Sequence, residues 1–330
     1  MIKKLFITCA AFVWTIALVA QNISVVNSSG STKLYRTLQA AIEGADPNSV
    51  IYLPGGGFPI ADSVKITKKL TIIGIGHKSS NNNVDGVTTI SGNLFFNEGS
   101  SGSAVMACYI TGDVYIGDDG TTVNDVLVKY CNLSKMNVKN SSCQGTIVSQ
   151  NYIRSFSYCY NAPVEFSNNI CKNISNLDGG TVSNNIITLH SGSGVTDSPL
   201  FHVINSNITS NIFFSSSKYW TLSDCRDNVL FGNMAFNNKC GGDELIDFSG
   251  ISIDSVFVNY NGGTISPASD FHFKDEYKQY ENQVGIYAGD GFNDKQLAPV
   301  PYIVAKKIDE QTDTAGKLNI KIRVKASGEE

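Results

Sequence analysis

Charged side chains are scarce in this chain: they make up 16% of its 330 residues, 25 basic and 29 acidic, for a formal charge of −4. No basic cluster interrupts that low density, which argues against nucleic acid as a partner, because phosphate backbones are held by several lysines and arginines together. After residue 20 no apolar run approaches the roughly 20 residues needed to cross a bilayer. Neither a Cys-x-x-Cys pair nor a zinc-type Cys/His spacing occurs, so no metal or other cofactor is expected. The shortage of charge also leaves few candidates for acid–base chemistry.

The one long apolar stretch follows Met1-Ile2-Lys3-Lys4 and runs from Leu5 to Ala20. At about 16 residues it reads as a secretory signal peptide, residues 1–20, cleaved after Ala20. Its loss moves the charge to about −6 and predicts a secreted, periplasmic or cell-surface protein without a membrane span. Cys9 goes with it, leaving cysteines at 108, 131, 143, 159, 171, 225 and 240. An odd number leaves at least one unpaired. Most read as small buried core residues, and a disulfide between neighbouring turns stays open in an oxidising compartment.

What the chain has in abundance is asparagine: 32 residues, of which 19 lie between Asn124 and Asn238. An asparagine followed by an apolar residue recurs at Asn132, Asn151, Asn169, Asn185, Asn211, Asn233 and Asn259, with gaps of 19, 18, 16, 26, 22 and 26 residues. Gaps centred on the low twenties are those of solenoid turns with loops of unequal length inserted between equivalent strands. The runs between them, such as Val126 to Val128, Thr146 to Val148, Ile186 to Leu189 and Val229 to Phe231, are short and largely β-branched and read as strands. Asparagine tolerates the left-handed conformation that corners need, and stacked asparagines can bond one another along the axis. The seven are therefore expected to form a structural ladder and not a ligand site.

Leu38, Ala41 and Ile42 share one face of a short helix over Thr37 to Ala45, suited to plugging the open end of a solenoid core. Leu38-Gln39-Ala40-Ala41-Ile42, then Ile51-Tyr52-Leu53-Pro54-Gly55, then Leu70-Thr71-Ile72-Ile73-Gly74, resemble the opening of the pectin-lyase-like β-helix superfamily. Phe257-Val258-Asn259, Ser269-Asp270-Phe271-His272-Phe273 and Val284-Gly285-Ile286-Tyr287-Ala288-Gly289 resemble the terminal coil of secreted β-helix proteins from gut-associated Gram-negative bacteria, which usually show a Gly-Gly pair after the tyrosine, from which Ala288 departs. The resemblance implies an all-β, single-stranded right-handed parallel β-helix over residues 21–300 with an N-terminal helix cap. Residues 301–330 read as a C-terminal β-hairpin, a cap or an extension.

The resemblance says little about activity, because that superfamily hosts lyases, hydrolases, isomerases and adhesins. The carboxylate pair of its hydrolases has no counterpart here: Asp118-Asp119, flanked by Gly117 and Gly120, reads as a solvated turn. Lyase chemistry needs a base and a cation, Ca²⁺ if any, to neutralise a uronate. The best concentration is Lys218, Asp224 and Arg226 with His190 and His202 on nearby rungs, although spacing assigns neither histidine a carboxylate partner. Tyr152, Tyr158, Tyr160, Tyr219 and Trp220 are aromatics available to stack on sugars. The expected function is contact with a polysaccharide or cell-surface glycan without a recognisable catalytic centre. A polysaccharide lyase or glycosidase, and a structural or adhesive solenoid, are the alternatives.

Overall fold

The computed structural model describes residues 22–78, 86–189, 198–215, 224–236, 242–260, 268–308 and 316–325, with isolated positions between them. The signal-peptide region lies outside the described residues. The chain is mostly β, built on long parallel sheets in the manner of a parallel helix. In the first sheet the parallel order is Ser49–Tyr52, Leu70–Ile73, Ala104–Met106, Leu127–Lys129, Thr146–Ser149, Val164–Ser167, Thr181–Ser183, Asn207–Thr209 and Val229–Phe231, each strand one rung beyond the last. The rest of each turn supplies the long crossover that parallel pairing requires. It forms a second sheet whose register breaks midway, at Pro59/Ser63 and again at Ile153/Phe156, so that its strands continue onto a third face.

Alternation puts every second side chain inside. Ile72, Val105, Val128, Val148, Phe166, Val182 and Ile208 stand in register on successive rungs and are fully buried. Each contributes roughly 1.5–3 kcal/mol by leaving water. The helix Leu38–Gly44 starts where Thr37 Oγ1 accepts from Ala40 N–H at 3.2 Å. Leu38, Ala41 and Ile42 enter the same core.

The corner leaving the first sheet uses a two-residue device. Ala107, Tyr130, Gln150, Asn168, Asn184 and Ser210 occupy equivalent positions with φ between 54° and 57°. The residue after each turns inward: Cys108, Cys131, Asn151, Asn169, Asn185 and Asn211, all fully buried. Left-handed backbone and ladder asparagine are thus neighbours, not one residue as the composition suggested. Asn151, Asn169, Asn185 and Asn211 each donate their main-chain N–H and their Nδ2 to the Oδ1 of the asparagine one rung on, at 2.8–3.1 Å, the last acceptor being Asn233. Each Nδ2 also reaches a carbonyl of the preceding strands, Val128, Val148, Phe166 and Val182 in turn.

Two asparagines expected in this ladder stand outside it. Asn132 begins its strand one residue past the corner, where Cys131 holds the ladder position and donates its N–H to Asn151 Oδ1 at 2.8 Å. Asn259 belongs to an antiparallel pair with Asp270, after the coils have ended. An Asn-apolar dipeptide does not distinguish a corner from a strand start.

The apolar half of the dipeptide has its own explanation. Tyr152, Ile170, Ile186, Ile212 and Met234 are in register and belong to a second buried cluster, separate from the inner core. They form an outer row. Their cover comes from the far end of the chain, where the last parallel strand, Ile246–Phe248, is followed by the helix Ile253–Val256 and the pair Phe257–Asn259 and Asp270–Phe273. Residues 284–300 then run back across the rungs as a strap. Gly285 N–H donates to Ser210 O, Asn168 Nδ2 to Ile286 O and Ala288 O, and Asn293 N–H to Gln150 Oε1, all at 2.7–2.8 Å. The segment expected to be a terminal coil is therefore wrapped along the outside.

Tyr302–Ile308 and Ile320–Lys325 form the C-terminal antiparallel hairpin. None of its described residues joins a buried cluster.

Replacing Asn185 by alanine strands the buried N–H and Nδ2 of Asn169 and is expected to cost about 2–4 kcal/mol. Asn259→Ala is expected to cost under about 1 kcal/mol. Denaturant titration of the two variants, with equal losses as the contrary result, checks the ladder.

Candidate functional site

Of the residues singled out for chemistry, His190, Lys218, Tyr219 and Trp220 lie outside the described residues. His202 and Asp224 are brought together. They occupy equivalent left-handed bulge positions, φ 51° and 54°, on adjacent rungs, and His202 Nδ1 is 2.6 Å from Asp224 Oδ2. The carboxylate that spacing did not assign is thus supplied by rung stacking. The hydrogen bond from His202 holds the Asp224 carboxyl below its usual range. Arg226 lies 3.9 Å from Asp227, both exposed. The histidine–aspartate pair is also open to solvent, at 31% and 60% side-chain exposure, so water screens its charge.

Beside His202 lies Phe201, at one end of a column of aromatic side chains. On the third face Lys65, Phe95, Tyr115, Asn137, Tyr158, Ser175 and Phe201 point outward in register, one per rung. Phe95 and Tyr115 stack at 4.5 Å with ring planes 8° apart. Tyr115 Oη donates to Asp113 Oδ2 at 3.1 Å, and burial together with that carboxylate pushes the phenol up to about 12. Lys139 Nζ donates to Tyr160 Oη at 3.0 Å and lies 4.7 Å from the Tyr160 ring and 5.7 Å from the Tyr115 ring. Tyr158, Tyr160 and Phe201 are exposed at 37%, 41% and 36%. Rings left in water beside hydroxyl and amide groups are suited to sugars, which present apolar C–H faces and polar rims.

Tyr158 and Tyr160 were legible as available aromatics, whereas Tyr152 points the other way and packs at 5.6 Å against Phe292 under the strap. Phe95, Tyr115 and Phe201 were missed. The signal that could have found them is register: counting from the strand starts places Tyr115, Asn137 and Tyr158 in one column.

A second cluster, absent from the sequence reading, fastens the strap. His272 Nδ1 is 2.6 Å from Glu281 Oε1 and its Nε2 is 3.3 Å from Asp294 Oδ2, while its ring stacks on Tyr287 at 3.8 Å. Tyr287 Oη donates to Asp294 Oδ1 at 2.9 Å. Lys278 Nζ and Phe273 N–H donate to Glu281 at 2.7 and 2.9 Å. Burial works against the charged Glu281, but these hydrogen bonds outweigh it and hold its carboxyl below the usual range. From the first coils, Lys78 Nζ donates to Asp294 O at 2.9 Å and His77 Nε2 meets Gln296 Oε1 at 3.2 Å. Burial drives His77 down to about 4 although the Gln296 contact pulls the other way. These groups are up to 219 residues apart, so no local motif could announce them.

Cys108, Cys131, Cys143, Cys159 and Cys171 are buried free thiols, Cys225 is partly buried, and Cys240 lies outside the described residues. Burial pushes the Cys131 and Cys171 thiols up to about 12. A thiol-reactive disulfide reagent at pH 8 is therefore expected to leave these two untouched in the native protein and to modify them only after denaturation, as read by peptide mass spectrometry.

Among the described residues no three His, Cys, Asp or Glu side chains converge as a metal-ligand group, and no helix is long and apolar enough to cross a membrane. Comparison with known proteins gives no match: no protein-family model, no curated protein and no solved structure is significantly similar to the chain.

Proposed function

We propose that this is a secreted or cell-surface, right-handed parallel β-helix of the pectin-lyase-like kind that holds a polysaccharide or cell-surface glycan on its third face without cleaving it. The helix Leu38–Gly44 closes the N-terminal end of the coil, and the C-terminal hairpin serves as an extension. The observation that carries the reading is the exposed group Tyr158, Tyr160 and Phe201, with Lys139 seated among the rings. A rigid array of this kind loses little entropy on binding, because its rings are fixed by the rungs beneath them.

A second reading, a lyase, draws on one observation, the His202–Asp224 pair beside Phe201. An aspartate that holds Nδ1 leaves Nε2 to take a proton α to a uronate carboxylate. In that reading Ca²⁺ or a basic side chain neutralises the acid group.

Binding of the mature protein to a panel of immobilised neutral and uronic-acid polysaccharides, with and without Ca²⁺, tests both readings. Tyr158→Ala and Tyr160→Ala are each expected to weaken retention about tenfold. Retention of no glycan by the wild type, or unchanged retention by the double variant, would overturn the binding role. Ultraviolet absorbance of an unsaturated product, abolished in His202→Ala, would favour the lyase.

A further inference from the structure

The strap and its clasp carry an inference independent of the glycan reading. We propose that residues 284–300 are an acid-releasable cover: acidification frees the strap from the rungs, while the coil beneath stays folded, and uncovers the outer apolar row. Three observations support it.

First, strap and coil are held by different kinds of contact. The rungs pair through main-chain hydrogen bonds between parallel strands and through the amides of the asparagine ladder, neither of which titrates. The strap belongs to no sheet and is attached by scattered hydrogen bonds at Gly285, Ile286, Ala288, Asn293, Asp294 and Gln296. A segment without ladder pairing opens locally at less cost than the paired rungs, so its fastening decides whether it stays down.

Second, that fastening is a cluster of ionisable groups. His272 lies between Glu281 and Asp294, and Asp294 also takes the Tyr287 hydroxyl. Lys78 feels both Asp294 and Asp270, and burial, opposed by those two carboxylates, lowers its ammonium.

Third, His77 sits beneath the strap with its Nδ1 buried and, among the described residues, without a hydrogen-bond partner, while its Nε2 meets the strap's Gln296. The charged groups that face it, Lys78 and Arg154, are both cationic and disfavour its protonation. The sign follows from linkage. A freed His77 binds a proton near its ordinary value of 6.5, whereas under the strap it does so only near 4, so closure is fully stable above 6.5 and weakens as pH falls toward 4. From His77 alone the open-to-closed ratio rises about 60-fold between pH 7 and pH 4.5.

Hydrogen exchange followed by mass spectrometry on the mature protein, corrected for intrinsic rates, tests this at pH 7 and pH 4.5. Peptides from 284–300 are expected to exchange at least tenfold faster at pH 4.5 while those from 164–189 do not change, and an apolar fluorescent dye is expected to bind. His77→Gln, which keeps a polar group but cannot titrate, is expected to blunt the response. Should that variant fail to fold, His77→Asn, which likewise cannot titrate, takes its place. Equal strap exchange at both pH values, or strap and rungs loosening together, overturns the proposal, as does a full response in the substituted protein.

Discussion

The structure depends on a single buried interaction, the amide of one asparagine closing on the amide of the next. A parallel coil leaves main-chain N–H groups at each corner facing inward, where water cannot reach them. An aliphatic side chain there would leave them unsatisfied, at a cost of about 1–3 kcal/mol each. Asparagine supplies an acceptor to the rung before and donors to the rung after, so the cost is removed and rung height is fixed together. The left-handed residue before it makes this possible, because it turns the chain sharply enough to aim the side chain inward. Everything on the outer faces inherits its position from that corner, including the aromatic column and the apolar row.

Where the ladder thins toward the N-terminal end, Cys131 and Cys108 take over the corner. A thiol is small enough for the site and donates weakly to nearby carbonyls, as Cys131 does to Val105 O and Lys129 O. Cys108 and Cys131 are thereby accounted for as occupants of an inward corner. Burial that raises their thiols also makes them poor nucleophiles.

The repeating dipeptide made the rungs legible, because a period in the low twenties and short β-branched runs have few other readings. It could not say that its two halves serve different interiors, Asn151 the ladder and Tyr152 the outer row. Nor could it tell Asn132 from a ladder residue, since the difference is one position in register. Of the site, Tyr158, Tyr160, His202 and Asp224 were visible as residue types. Their grouping was not, because a column of side chains is set by loop lengths that vary from rung to rung. The clasp was least visible: His77 and Gln296 meet only because the chain returns along its own length.

That return has a consequence for the order of assembly. The outer row is complete once Met234 has stacked on Ile212, yet its cover is some fifty residues further along the chain. A chain that emerges from its N-terminal end builds a greasy stripe before it possesses the lid for it. Until the final segment arrives, that stripe can stick to any neighbour, so the last part made decides whether a correctly wound coil stays solitary.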